Sequence, residues 1–173
     1  FPLWFLPLIR WMQSEKRESW QWQKILFLSI PMKIDRYLTF LGVIPFLLLL
    51  MLSFYNFERT DYTSNLFHAY SAIIISFIAG THWGICLYSK DGNNRILLES
   101  NLITLMAWFS LFSLSSMTEL IMIGCFLYLL HVDQRLQKNG LISELYFRRR
   151  MLATFTVILI QILFYINRNF ITV

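Results

Sequence analysis

The stretch LFHAYSAIIISFIAGTHWGICLY, residues 66–88, decides the fold. It contains no Asp, Glu, Lys or Arg. As a helix it would extend about 34 Å at a rise of about 1.5 Å per residue, which exceeds the roughly 30 Å of hydrocarbon in a bilayer. The stretch therefore predicts a helix that spans a membrane.

The composition of the whole chain favours the same class of protein. Of its 173 residues, 57% are hydrophobic and 17% aromatic, and only 14% are charged. A water-soluble protein of this size would expose large apolar patches, whereas lipid is itself apolar. The net charge of +5 does not indicate a nucleic-acid partner, because the basic residues lie between apolar runs rather than along one face.

Four further apolar runs complete a predicted all-α integral membrane fold, a bundle of five transmembrane helices. The predicted spans are residues 38–55, 66–88, 97–113, 117–131 and 151–167. In the first of them, Gly42 and Pro45 predict a kink near its start.

The third and fourth spans could instead be one helix over residues 97–131. Such a helix would extend about 52 Å, far beyond the hydrocarbon core. Five spans place thirteen Lys and Arg residues on one side and two on the other, the asymmetry expected when basic connections stay inside. We therefore predict five spans, with the N-terminus on the positively charged matrix or cytoplasmic side and the C-terminus opposite.

Residues 1–37 form a separate segment that combines four tryptophans with six basic residues. Aromatic and basic side chains favour the headgroup layer, so we expect an interfacial segment, with a disordered leader as the alternative. The chain starts with Phe1 rather than Met, which suggests either a processed chain or part of a longer one. With the aromatic leader, this favours the mitochondrial inner membrane over a bacterial inner membrane.

The second span carries a ridge of small residues at every fourth position. A backbone can approach another closely along such a ridge, so we predict helix packing and a central place for this span. The ridge consists of Ala72, Ser76, Gly80 and Gly84.

The same span carries the candidate functional polar residues Tyr70, His82 and Trp83. Ionisable groups inside a membrane are costly, so a functional role has to be considered. His82 lies fourteen residues after His68, and one haem between His82 and His131 is conceivable. A histidine that is hydrogen-bonded inside the bundle is the simpler interpretation. Neither a cofactor nor a metal site is otherwise predicted.

The connection over residues 132–150 is rich in arginine. Its simplest role is topological. The alternative is a docking surface for anionic lipid such as cardiolipin, or for a partner subunit. The candidate residues are Arg135, Arg148, Arg149 and Arg150.

Four segments follow one another along the chain: LGVIPF at 41–46, YSAIIISFIAGTHWG at 70–84, MAWFSL at 106–111, and Asp133, Arg135 and Tyr146 to Arg150. In this order they resemble proteins of the transmembrane protein 69-like family. The resemblance covers about residues 38–167. It implies a five-helix inner-membrane protein, bacterial or mitochondrial, with no assigned activity.

The sequence shows neither a carboxylate pair, nor a nucleophile with its base, nor a metal set, so no enzyme is predicted. We expect a non-catalytic subunit or accessory factor of a larger inner-membrane complex, respiratory in kind, with lipids and other membrane subunits as partners. A small transporter, or a protein that binds haem, quinone or lipid, is the alternative.

Overall fold

The computed structural model describes residues 37, 39–55, 60–89, 94–112 and 117–168. Over these ranges the chain is helical and contains no strand. The helices are α1 Ile44–Tyr55, α2 Thr60–Tyr88, α3 Asn94–Ser110, α4 Met117–Lys138 and α5 Glu144–Ile166. The all-α prediction is confirmed for this part of the chain, whereas the predicted interfacial segment lies outside it, apart from Tyr37.

The helices coincide with the five predicted spans but differ from them at their ends. A short helical stretch over residues 39–41 is followed by a turn at Gly42 and Val43, and α1 then begins at Ile44. Pro45 lies in the first turn of α1, where its missing N–H costs nothing. The predicted interruption near Gly42 and Pro45 is therefore confirmed.

The prediction of a connection over residues 132–150 is wrong, because most of it is helical. Helix α4 continues to Lys138 and α5 begins at Glu144. Gly140 has a φ of 70°, and the N–H of Leu141 donates to the carbonyl of Leu136 at 3.0 Å. This is a Schellman ending, which favours glycine at the left-handed position. The hydropathy pattern did not predict the end of α4 or the start of α5, because both are rich in charged residues.

Consecutive helices run in opposite directions. Thr118, at the start of α4, donates to the carbonyl of Ser110, at the end of α3, at 3.2 Å. Asn167, just after α5, donates to Ser53, near the end of α1, at 2.9 Å. Helices α1, α3 and α5 therefore end, and α2 and α4 begin, at the same end of the bundle. We call it the Glu119 end, and the opposite one the Asp133 end.

The core joins these helices through aromatic rings. Phe46 of α1 is fully buried and meets Phe67 of α2 with ring centroids 5.4 Å apart. It also contacts Tyr70 at 4.9 Å and Phe126 of α4 at 6.3 Å. Phe67 stacks on Phe164 of α5 at 4.1 Å. This cluster ties four of the five helices together, with α2 packed against α1, α3 and α4.

Two of the described helices are long and apolar enough to cross a membrane, Asp61–Tyr88 and Glu144–Ile166. In the most apolar window of each, 39% and 44% of the residues are buried, so more than half are available to contact lipid. Thr39–Tyr55 is apolar but shorter, and α3 and α4 do not reach the same hydropathy. Length and composition thus indicate membrane association, while five crossings are not confirmed.

Candidate functional site: two buried ionic layers

The first ionic layer lies near the Asp133 end and joins α2, α4 and α5. Asp133 is 1% exposed and His82 is fully buried. The His82 Nε2 lies 2.8 Å from Asp133 Oδ1, and Arg150 Nε donates to Asp133 Oδ2 at 3.3 Å. Both carboxylate oxygens are therefore engaged. We call these three residues the Asp133 layer.

The second layer lies at the Glu119 end and is built from the same residue types. Glu119 is 1% exposed and His68 is 3% exposed. The His68 Nε2 lies 3.0 Å from Glu119 Oε1, and an Arg168 guanidinium nitrogen lies 3.2 Å from the same oxygen. We call these three residues the Glu119 layer. Burial of an isolated carboxylate is costly, and the arginine in each layer offsets that cost.

The two layers match in their sequence spacing. His68 and His82 are fourteen residues apart on α2, and Glu119 and Asp133 are fourteen apart on α4. Fourteen residues make nearly four turns, so both members of each pair lie on one helix face, about 21 Å apart along the axis. Helices α2 and α4 run in the same direction, which brings each histidine to one carboxylate. With neutral imidazoles, each layer contains one negative and one positive charge.

The interior between the layers is mainly apolar, and one polar bridge joins α2 and α5 across it. Gln161 of α5, 1% exposed, donates from Nε2 to Ser71 Oγ of α2 at 3.3 Å. The Ser71 hydroxyl donates in turn to the carbonyl of Phe67 at 2.9 Å. Side chains that are at most 3% exposed fill the space around this bridge, among them Ile75, Ile78, Met122 and Phe126. Within the described residues, this cluster of buried apolar side chains lies between the two layers.

The four arginines predicted as docking residues are engaged in contacts within the chain. Arg135 pairs with Glu99 of α3, and this hydrogen bond outweighs burial and raises the pKa of the Arg135 guanidinium. Arg148 donates to Glu144 at 2.6 Å, and Arg150 belongs to the Asp133 layer. Arg149 is 9% exposed. Arg148 is the most exposed of the four, with 67% of its side chain accessible while it pairs with Glu144.

The other candidate polar residues are separated from one another. The Tyr70 hydroxyl donates to the carbonyl of Gly42 at 3.0 Å and so fastens α2 to the start of α1. The Trp83 Nε1 is buried without a hydrogen-bond partner among the described residues. His131 is exposed, whereas His82 is buried against Asp133. Residues two apart on a helix face different directions, so α4 does not present His131 alongside Asp133 to His82.

The small-residue ridge turns from the inside of the bundle to its outside. Ala72 is buried, but Ser76, Gly80 and Gly84 are exposed. A Cβ atom built on Gly80 or Gly84 would meet nothing within 4 Å. The physical reason is that each step of four residues rotates by about 40° around a helix of 3.6 residues per turn. The prediction that this ridge packs helices within the chain is therefore corrected for its last three members.

In the predicted spans, Glu99 and Glu119 are each the third residue, at a span end, and Asp133 lies in a connection, so the sequence analysis missed the layers. The equal spacing of fourteen on two helices of the same direction was the available signal. Among the described residues, no group of three His, Cys, Asp or Glu side chains converges to hold a metal ion. Each layer places a histidine and an arginine against one buried carboxylate, an arrangement that compensates charge inside the bundle.

Residues 31–166 of the chain match a family described as a protein of unknown function, DUF3429. The chain belongs to this family. The DUF3429 match contains every member of the two layers except Arg168, which lies two residues beyond it. No curated protein and no solved structure matches the chain. The DUF3429 match does not extend to the narrower transmembrane protein 69-like group, whose resemblance stays a prediction.

Proposed function

We propose that this DUF3429 protein is a non-catalytic membrane subunit or accessory factor of a larger inner-membrane assembly, respiratory in kind. The observation that carries the proposal is the outer face of α2, where Gly80 and Gly84 leave open space beside exposed apolar side chains. The inner polar groups, by contrast, mostly bind one another. A chain with a closed interior and an open helix face suits assembly with other helices.

All five helices cross the membrane in this proposal, with the arginine-rich α4–α5 connection on the inner side. The alternating helix directions and the exposed apolar side chains support this topology. The mitochondrial inner membrane is preferred to a bacterial one in this proposal, because the aromatic and basic segment over residues 1–37 favours it.

The topology can be tested at the two ends of α4. Cysteines introduced as Phe112→Cys and Asn139→Cys should react with a membrane-impermeant thiol reagent from opposite sides, because α4 separates them. The native Cys86 and Cys125 are buried and serve as the unreactive background. Labelling of both new cysteines from the same side would contradict a crossing by α4.

The proposed partner surface is the outward stripe of α2. Its apolar members are Ile73, 61% exposed, Phe77, 65% exposed, and Leu87, 69% exposed. These side chains flank the two glycines at helical spacing, which leaves a groove where a partner helix could approach the α2 backbone. Ser76 satisfies its own hydroxyl by donating to the carbonyl of Ala72 at 2.8 Å, so it adds no unpaired group.

Substitution of the glycines should separate assembly from folding. We expect Gly80→Leu/Gly84→Leu to fold as the wild type does, because both positions are exposed and a Cβ there meets nothing within 4 Å. The amount of partner subunit that co-purifies in mild detergent should fall by roughly tenfold or more, equivalent to about 1.4 kcal/mol or more. Co-purification followed by quantitative mass spectrometry measures it.

Gly124→Leu is the matched control, since Gly124 of α4 is also exposed and a Cβ there also meets nothing within 4 Å. That variant should keep the complex. A wild-type chain that purifies alone, or a double variant that retains its partner fully, would contradict the proposed role.

Lipids are the second class of partner, with anionic lipid such as cardiolipin preferred at the Asp133 end. A shallow groove there combines the exposed guanidinium of Arg148, which pairs with Glu144, with apolar side chains that suit acyl chains. Its lining residues are Gln137, Glu144, Phe147, Arg148, Met151 and Leu152. The wild-type chain purified in mild detergent should therefore retain anionic phospholipid.

A small transporter is the second candidate function. Buried ionisable side chains in membrane helices are typical of proton-coupled proteins, and the two layers favour this reading over a haem or quinone site. We place the transporter second because apolar side chains fill the interior between the two layers. Solute flux by the purified chain in vesicles would place it first.

A further inference from the structure

We propose that phospholipid headgroups bind to the outer sides of α3 and α4 below the level of the surrounding membrane surface, so that the bilayer is thinner there. The site rests on the crossing of the membrane by all five helices, which is part of the proposed function. Its ligand is the phosphate group of phospholipids in the leaflet at the Asp133 end. It is separate from the groove beside Arg148 and from the outward stripe of α2.

Polar side chains face outward on α3 and α4 well inside the ends of these helices. His131 is exposed and lies seven residues before Lys138, the last residue of α4. Asn101 is exposed and lies seven residues after Asn94, the first residue of α3. Both helix termini belong to the Asp133 end, so each side chain lies about 10 Å in from it along its helix. Two helices therefore present polar groups on the outer surface at a similar depth.

The Asp133 layer gives a common depth at which α4 and α5 can be compared, because Asp133 and Arg150 are in contact. His131 lies two residues from Asp133 towards the Glu119 end, and Leu152 lies two residues from Arg150 in the same direction. At this depth α5 presents a leucine that is 57% exposed, whereas α4 presents an exposed imidazole. The polar surface thus extends deeper on α4 than on α5.

The groups beside His131 suit a phosphate. Tyr128 is 40% exposed, and its ring centroid lies 6.2 Å from that of His131. Tyrosine rings favour the headgroup layer, and both side chains can donate hydrogen bonds to phosphate oxygens. The charge of Arg135, one turn nearer the Asp133 end, is balanced by Glu99. The cluster is therefore suited to the phosphate that all phospholipids share, without a requirement for a net negative lipid.

The apolar surface that remains on α3 and α4 is short. On α4, His131 and the first residue, Met117, are fourteen residues apart, which is about 21 Å. On α3, Asn101 and the last residue, Ser110, are nine residues apart, which is about 14 Å. A bilayer has about 30 Å of hydrocarbon. Lipid beside α3 and α4 therefore has to become thinner to match them.

Exposed polar groups determine how the lipid adapts. An imidazole or an amide in hydrocarbon loses the hydrogen bonds that it makes with water. Membranes avoid this cost by local thinning and by the entry of water and headgroups around the polar side chain. Because thinning costs little per ångström, headgroups should move to His131 and Asn101 rather than leave them in hydrocarbon.

Fluorescence quenching by lipid headgroups tests the proposal in the full chain, reconstituted in phosphatidylcholine nanodiscs in which part of the lipid carries a nitroxide on its headgroup. A fluorophore is attached through Leu127→Cys on α4 or Leu152→Cys on α5, while Cys86 and Cys125 are buried. Leu127 lies one turn deeper than His131, and so about 6 Å deeper than Leu152. We nevertheless expect the headgroup nitroxide to quench the probe at Leu127 about twofold more strongly, because the leaflet is thinner there.

Substitutions of His131 separate polarity from depth, and they spare the core because the side chain is exposed. His131→Leu extends the apolar surface of α4 and should reduce quenching at Leu127 below that at Leu152. His131→Gln is the matched control, since it keeps a polar side chain and should retain the strong quenching. Stronger quenching at Leu152 than at Leu127 with His131 present, or equal quenching at Leu127 in the two variants, would overturn the proposal.

The labelling of Phe112→Cys and Asn139→Cys reports on the topology separately. If these two cysteines react from opposite sides and the probe at Leu127 is still quenched less than that at Leu152, the headgroup site is wrong while the crossing by α4 stands. Labelling from one side would instead overturn the crossing on which the site depends.

Discussion

Asp133→Asn should lower the free energy of unfolding by about 3–5 kcal/mol, the usual cost of removing one partner from a buried ion pair. The substitution keeps the size of the side chain, so the loss reports charge rather than packing. Arg150 would remain next to an amide with 14% of its side chain exposed, and His82 would lose the anion 2.8 Å from its Nε2. Reversible denaturation in mixed detergent micelles measures the change.

The control for this prediction is Glu144→Gln. Glu144 and Arg148 form a surface pair in which each side chain is about two-thirds exposed. Surface pairs contribute only about 0–1 kcal/mol. The double variant Asp133→Leu/Arg150→Met should recover most of the stability lost in Asp133→Asn, because it removes both buried charges together. Equal losses in Asp133→Asn and Glu144→Gln would show that the Asp133 layer contributes no more than a surface pair.

Phe46→Ala should destabilise the chain by about 3 kcal/mol, because truncation of a buried aromatic ring leaves a cavity that neighbours fill only in part. Phe46 is fully buried, and its ring lies within 6.3 Å of those of Phe67, Tyr70 and Phe126, centroid to centroid. In lipid, close packing rather than exclusion of water holds helices together, so the loss of contact surface directly lowers the free energy of unfolding. We expect α1 to detach first, as a rise in hydrogen exchange over Ile44–Tyr55.

Phe109→Ala is the comparison for Phe46→Ala, since the Phe109 ring is 61% exposed. It should change stability by less than about 0.5 kcal/mol. A similar loss in both variants would mean that the aromatic cluster does not hold α1 in place.

The helices were predictable where apolar residues run without interruption. The stretch 66–88 lies within α2, and the break near Gly42 and Pro45 follows from backbone chemistry alone. The extension of α4 to Lys138 was not predictable from hydropathy, because Asp133 and Arg135 look like loop residues. They are helical because each has a partner on another helix. Such a tertiary contact cannot be recognised from the residues that are close in sequence.

The candidate site was only half visible in the sequence. The spacing of His68 and His82 was evident, but their acids lie on α4, more than fifty residues further along the chain. The directions of α2 and α4 had to be combined with the equal spacing of fourteen to pair them. The exposure of Gly80 and Gly84 on the outer face of α2 was also not predictable, since an i+4 pattern does not tell which part of a helix faces the core.

The arginines of the two layers have one consequence for biosynthesis. Both Arg150 and Arg168 belong to α5 or follow it, whereas both carboxylates lie on α4. In the order of synthesis, both carboxylates therefore precede the arginines that neutralise them. A chain that stops short of Arg150 carries two carboxylates without their arginines, so α4 completes its ionic contacts only after α5 and Arg168 have been made.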